Sequence, residues 1–150
     1  MGFAKARTRD AFIDRMQDGA LVVVWTRQTR GEKEWRGLFR GVLQLERRAV
    51  SAVSCSSAKG EMLRKGSDRE FEFAVPVTRA WEADPADKRA MSRIIPSMWP
   101  QLTQTIGTYS GLIDPGEVVN IESLRIKEVD VYGHPPVASR PFEPISKVFP

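Results

Sequence analysis

Cysteine and histidine are almost absent from this chain of 150 residues, which contains one of each, Cys55 and His134. A Cys/His metal site needs several such ligands close together, so these two residues predict no metal site. A single cysteine also excludes an internal disulfide and is typical of a reducing compartment. We therefore expect a cytoplasmic protein without a bound metal.

Long apolar runs are missing too. The longest, from Ala20 to Trp25, is far shorter than the roughly 20 residues that span a bilayer. The N-terminal residues include no apolar segment of the kind found in secretory signals. The sequence thus predicts no association with a membrane.

Catalytic motifs are equally scarce. The chain has no glycine-rich phosphate loop, and the Ser56-x-x-Lys59 spacing lacks the Lys-Thr-Gly strand that its chemistry requires. Restriction-type nucleases hold a metal with an Asp and a Glu-x-Lys on adjacent strands. No Asp occurs between Asp18 and Asp68, and Glu-x-Lys is absent. We expect a non-enzymatic protein that uses no cofactor; the alternative is an enzyme whose site carries no recognisable motif.

Hydrophobic patterning predicts an α+β fold with the order α-β-β-β-(β)-α-β, a mostly antiparallel sheet covered by helices on one face. Helical spacing and an Asp-Pro start predict helices, and alternating or β-branched runs predict strands. The predicted helices are residues 8–18, capped by Thr8, and a kinked helix from Asp84; the predicted strands are 20–27, 35–46, 50–56, 69–78 and 117–132.

The predicted strand 35–46 is the most informative segment. Its large apolar residues share one face, and Arg36 and Arg40 lie on the other. Gly37 and Gly41 should bend the strand or admit a close neighbour. Arg125 and Lys127 would join the arginines on the open face of the sheet. The first strand, 20–27, is predicted to be buried on both faces.

Positive charge is concentrated in the N-terminal half. Residues 1–80 carry 16 Lys/Arg and 10 Asp/Glu, a balance of +6, whereas residues 81–150 carry 7 and 9, a balance of −2. Such asymmetry indicates a polyanionic partner, although a solvated sheet face would give the same pattern. Trp25 and Trp35 could stack on unpaired bases or lie in the core. The candidate nucleic-acid-binding residues are Arg27, Arg30, Lys33, Arg36, Arg40, Arg47 and Arg48.

The C-terminal tail, residues 134–150, is rich in proline and is expected to be extended without regular structure. The remaining residues, 1–133, are predicted to form a single domain, of which 1–7 could be a flexible basic arm. The tail carries spaced apolar residues that could dock on this chain, on a partner, or on a second copy in a homo-oligomer. These candidate partner-binding residues are Phe142, Ile145, Val148 and Phe149.

Two functional hypotheses follow. The first is a small binding protein that acts on nucleic acid or a nucleoprotein complex through the basic hairpin face. The alternative is an assembly subunit that oligomerises, or docks on an acidic protein surface, through its sheet edge and tail. Small accessory proteins of phages, plasmids and other mobile elements would suit either hypothesis.

Overall fold

The computed structural model describes residues 1–3, 5–26, 33–51, 73–96, 119–131 and 133–149. The chain divides into two compact units. Unit 1 comprises Met1–Val22, Leu43–Arg79 and Asp130–Pro136, and unit 2 comprises Val23–Val42, Ala80–Val129 and Val137–Pro150. Within the described residues the protein mixes a few helices with mostly antiparallel sheets, so the α+β class is confirmed. The prediction of a single domain over residues 1–133 stays a prediction.

Helices in the described residues are short. They are α1 (Ala6–Arg15), a 3₁₀ helix (Lys33–Trp35), α2 (Met91–Ile94) and α3 (Ile145–Val148). The strands are β1 (Gly2–Phe3), β2 (Leu21–Trp25), β3 (Phe39–Leu45), β4 (Val50–Ser51), β5 (Phe73–Ala74), β6 (Val77–Ala83), β7 (Arg125–Val129) and β8 (Glu143–Pro144). None of these helices is long and apolar enough to cross a bilayer.

The strands form two sheets rather than the one that the sequence predicts. A three-stranded sheet has the order β1-β5-β4, with both pairs antiparallel. A five-stranded sheet has the order β2-β3-β6-β7-β8, and its β6–β7 and β7–β8 pairs are antiparallel. The second sheet contains β6, which the sequence analysis did not predict.

Unit 1 has its own hydrophobic core, built where α1 packs on the first sheet. The rings of Phe3 and Phe12 lie 5.4 Å apart between centroids, and Met16 is buried just after the helix ends. Burial of such side chains is the main driving force for folding, at about 1.5–3 kcal/mol each. The buried members are Phe3, Phe12, Met16, Leu45 and Val75.

Unit 2 has a larger core. Trp81 is only 3% exposed and makes an edge-to-face contact with Phe149, with ring centroids 4.8 Å apart. The buried members come from β3, β6, β7 and the helices α2 and α3, with Ile95 and Leu124 beside them. They are Phe39, Val42, Trp81, Ala83, Met91, Ile94, Ile95, Leu124, Ile126 and Ile145.

Gly41 lies where β3 and β6 approach each other most closely. Its φ is +153°, and a Cβ built on it would overlap the main-chain carbonyl of Trp81. Only glycine fits such a position without displacing a neighbouring backbone. The close neighbour expected at this glycine is therefore present.

Two predicted strands differ from the observed ones. The strand predicted from Trp35 begins only at Phe39, because Lys33–Trp35 turn in a 3₁₀ helix. Strand β2 is not buried on both faces: Leu21 is 46% exposed, and the strand is the first in the sheet order. A β-branched run alone could not distinguish a central strand from a partly exposed one.

The predicted helix start at Asp84 is wrong. Asp84 accepts a hydrogen bond from the Ala86 N–H at 2.9 Å, and the Asp87 N–H donates to the Asp84 carbonyl at 3.0 Å. These bonds close a turn, and the helix α2 begins later, at Met91. Asp and Pro favour turns for the same physical reasons that they favour helix starts, so the sequence signal is ambiguous.

The tail also contains regular structure that its prolines did not predict. Residues Glu143–Pro144 pair with Arg125 and Ile126 of β7, and α3 follows directly. Pro144 precedes the helix, where a residue without an N–H removes no helical hydrogen bond. Most of the predicted strand 50–56, and the part of the predicted kinked helix beyond residue 96, lie outside the described residues.

Candidate nucleic-acid interface

The basic segment before β3 is held by main-chain hydrogen bonds within unit 2. The Gly37 N–H donates to the Thr26 carbonyl at 2.8 Å, and the Thr26 N–H donates to Leu38 at 3.2 Å. Gly37 has a φ of +69°, in the left-handed region that glycine adopts without steric cost. The segment that carries Lys33 and Arg36 is thus hydrogen-bonded to Thr26, the residue that follows β2.

The Trp35 ring contacts two cations from different parts of unit 2. The Arg40 guanidinium lies over its ring at 4.3 Å from the centroid, and the Lys88 ammonium lies over it at 4.8 Å. Cations within about 6 Å of an indole are attracted by the negative face of the ring. The ring therefore contacts two cations, Arg40 and Lys88, that lie 48 positions apart in the sequence.

We call Lys33, Trp35, Arg36, Arg40 and Lys88 the Trp35 cluster. The carboxylate of Glu34 lies beside the cluster, with its Oε2 3.9 Å from the Lys88 Nζ. The cluster with this carboxylate carries a net charge of +3, four positive charges against one negative. Exposed ion pairs of this length contribute little, so Glu34 offsets only part of the positive potential.

Lys33, Arg36 and Lys88 are the exposed members of the cluster. Among the residues that the structure describes, the side chains of Lys33 and Arg36 have no ion pair or hydrogen bond to another group. A phosphate that contacted either of these two side chains would break no existing side-chain bond. Arg40 is half-buried beside them.

Arg47 has a different environment, in unit 1. Its Nε donates to the carbonyls of Ile13 and Met16, both at 3.1 Å, and its N–H donates to Asp18 at 2.8 Å. The last carbonyls of a helix lack partners within the helix, and a cation near them also interacts favourably with the helix dipole. Arg47 therefore caps the C-terminal end of α1.

Arg48 is also engaged in unit 1. Its Nε and one terminal nitrogen each lie 3.1 Å from a different oxygen of Glu46, a bidentate pair. Of the seven residues predicted to bind nucleic acid, Lys33, Arg36 and Arg40 lie in one segment of unit 2, where Arg40 contacts the Trp35 ring. Arg47 and Arg48 lie in the other compact unit, and Arg27 and Arg30 lie outside the described residues.

Arg125 and Lys127, expected on an open face, both have acidic partners. Lys127 pairs with Glu82 at 3.0 Å. Arg125 bonds the carboxylate of Asp84 at 3.1 Å and the carbonyl of Phe142 at 2.9 Å. The hydrogen bond from the Ala86 N–H, together with Arg125, holds the pKa of Asp84 below its ordinary value despite the opposing effect of burial. Arg125 and Lys127 therefore form ion pairs within unit 2.

The four tail residues predicted to bind a partner lie within unit 2. Ile145 is buried in the core, and Val148 and Phe149 pack against it. The Ile145 N–H donates to the Leu124 carbonyl at 2.7 Å. Phe142 lies under the Lys127 ammonium, 4.8 Å from its ring centroid. In this structure the tail docks on the chain's own core.

Lys88 is the cluster member that the sequence analysis missed. It follows the Asp84–Asp87 turn and joins the cluster through a contact across 53 residues from Trp35. Its only local signal is a positive charge next to Asp87, and no periodicity links it to the segment around Trp35. Such a contact is visible only in three dimensions.

Comparison of the chain with known protein-family models, with curated proteins and with solved structures finds no match. The structure therefore shows the fold class alone: the protein is α+β, and its described part divides into two compact units. The basic cluster in unit 2 is the feature from which a function can be argued.

Proposed function

We propose that the protein is a non-enzymatic nucleic-acid-binding protein that contacts the phosphate backbone through the Trp35 cluster. The observation that supports this most strongly is the pair of cations over one indole ring, beside two exposed cations. Nucleic-acid backbones are recognised mainly by Lys and Arg, and neutralising each phosphate releases counterions.

The arrangement favours binding because some of the cationic side chains have already lost conformational entropy in the free protein. A free Arg or Lys side chain loses rotamer freedom when it binds, at about 0.5–1.5 kcal/mol. Arg40 and Lys88 are already restrained over Trp35. Lys33 and Arg36 then add two charges that carry no competing ion pair within the described residues.

The alternative role as an assembly subunit has less support. It relies on Phe142, Ile145, Val148 and Phe149 as contacts for a partner, and in the structure these side chains contact unit 2. A partner would have to displace them from a hydrophobic core. The backbone-binding role requires no such rearrangement.

The proposal is tested by fluorescence anisotropy with labelled oligonucleotides, titrated at several salt concentrations. We expect binding whose log Kd depends linearly on log salt concentration, with a slope of about 0.9 per neutralised phosphate on a duplex. The double variant K33A/R36A should flatten this slope by about two units. No binding at low salt, or an unchanged slope in the variant, would refute the assignment of this surface.

The matched control is R140A/K147A. Both residues are exposed in unit 2 and lie outside the cluster, so this variant removes the same net charge. Its slope should stay close to that of the unmodified protein. Equal flattening in both variants would mean that only the total charge matters.

A further inference from the structure

Aromatic rings are the second means by which proteins bind nucleic acids, since unpaired bases stack on them. The Trp35 ring is already shared by the unit 2 core, the Arg40 guanidinium and the Lys88 ammonium. A base that stacked on Trp35 would compete with two cations for its faces. The ring is therefore better placed to position charges than to receive a base.

The same holds for the other rings of the described residues. Phe73 and Phe142 are half-buried, and each lies under a cation, Arg9 at 5.3 Å and Lys127 at 4.8 Å from the ring centroid. The remaining described aromatic side chains are buried or pack against one of the two cores. Within the described ranges, no aromatic side chain is fully exposed.

From these contacts we infer that the Trp35 cluster recognises the phosphodiester backbone alone, with Trp35 as a positioning residue and no base stacking. This inference rests on the proposed function and specifies its ligand class. The site should then bind a duplex more tightly than a single strand of equal length, because a duplex has the higher charge density. It should also be indifferent to base sequence, which is read at base edges rather than at phosphates.

The experiment compares three labelled probes of equal length at one low salt concentration. They are a duplex, a single strand, and the same single strand with abasic residues in place of its nucleotides. Because the two single strands carry equal charge, we expect their Kd values to agree within about twofold, with the duplex tighter than both. A loss of about fivefold or more per base on base removal would show stacking and overturn the inference, while leaving the proposed function intact.

Variants at Trp35 test its positioning role. W35L removes the ring that restrains Arg40 and Lys88, so it should weaken all three probes by a common factor of about two to five. W35F keeps an aromatic face and should recover most of this loss. Thermal unfolding of both variants checks that they remain folded.

Two outcomes would overturn the inference here. W35L could weaken only the strand that has bases, which would make Trp35 a stacking residue. It could also leave all three probes unaffected while folded, which would remove its role in positioning. Failure of the unmodified protein to bind any probe would instead refute the proposed function itself.

Discussion

Basic side chains are used differently in the two compact units. In unit 1, Arg47 donates to the carbonyls at the end of α1, and Arg48 pairs with Glu46. In unit 2, Lys33 and Arg36 are exposed without such bonds among the described residues, beside cations restrained by an indole ring. Arg47 and Arg48 therefore bond to other groups of the protein, as Arg125 and Lys127 also do in unit 2, whereas the side chains of Lys33 and Arg36 have no such bonds among the described residues.

This difference shows why charge density in a sequence overestimates a binding surface. An arginine offers five donors in a rigid fork, and an unpaired carbonyl of the protein accepts them as readily as a phosphate does. Which use applies depends on what lies within about 3 Å in the folded chain. Variants that act on one unit without the other can test the distinction.

The largest effect on stability is expected at Gly41, which directly follows Arg40 in β3 and for which we propose a role in packing only. G41A should reduce the free energy of unfolding by more than about 3 kcal/mol, because the added Cβ overlaps the Trp81 carbonyl and the φ is positive. Urea denaturation followed by tryptophan fluorescence measures this change.

Gly133 provides the matched control. Its φ is +79°, and nothing lies within 4 Å of an added Cβ. G133A should cost only the backbone strain, about 1–2 kcal/mol. Equal losses in the two variants would contradict the account of Gly41 as a point of close backbone approach.

The next effect is expected at Arg47. R47A leaves the carbonyls of Ile13 and Met16 without their donor, and we expect a loss of about 1–2 kcal/mol in the free energy of unfolding. Nucleic-acid affinity should change far less than in K33A/R36A. A fully stable R47A with strongly reduced affinity would reverse the roles that we assign to the two units.

The smallest effect concerns Asp84 in unit 2. Because the pKa of Asp84 is lowered in the folded state, its contribution to stability is present above the unfolded pKa, near pH 4, and is lost as the pH falls through the folded value. D84N should flatten this part of the pH dependence of the urea midpoint. If the urea midpoint of D84N depended on pH between pH 6 and about pH 2 as that of the unmodified protein does, this role of Asp84 would be contradicted.

Periodicity predicted the α+β class and some of its elements, and the failures have identifiable physical reasons. The helix predicted at residues 8–18 is observed as Ala6–Arg15, so Thr8 lies inside it and does not cap it, and only Arg125–Val129 of the predicted strand 117–132 forms β7. Strand β6 was missed because Pro76 ends β5, yet a new strand begins at Val77. Proline stops one ladder without preventing the next.

The candidate site was only partly predictable. Local sequence placed Lys33, Arg36 and Arg40 together, since they lie within one short segment. Arg47 and Lys88 could not be assigned, because a helix-capping bond and a cation–ring contact join residues far apart in sequence. Alternation also predicted a strand at Trp35, whereas the chain turns there and the ring contacts the side chains of two cations.

The most direct test compares the salt dependence of duplex binding for K33A/R36A and for R47A/R48A, at a temperature where both are folded. Each variant removes two positive charges, one pair from each compact unit. Our account predicts a slope flattened by about two units in K33A/R36A and nearly unchanged in R47A/R48A. Equal flattening in the two variants, or flattening only in R47A/R48A, would contradict it.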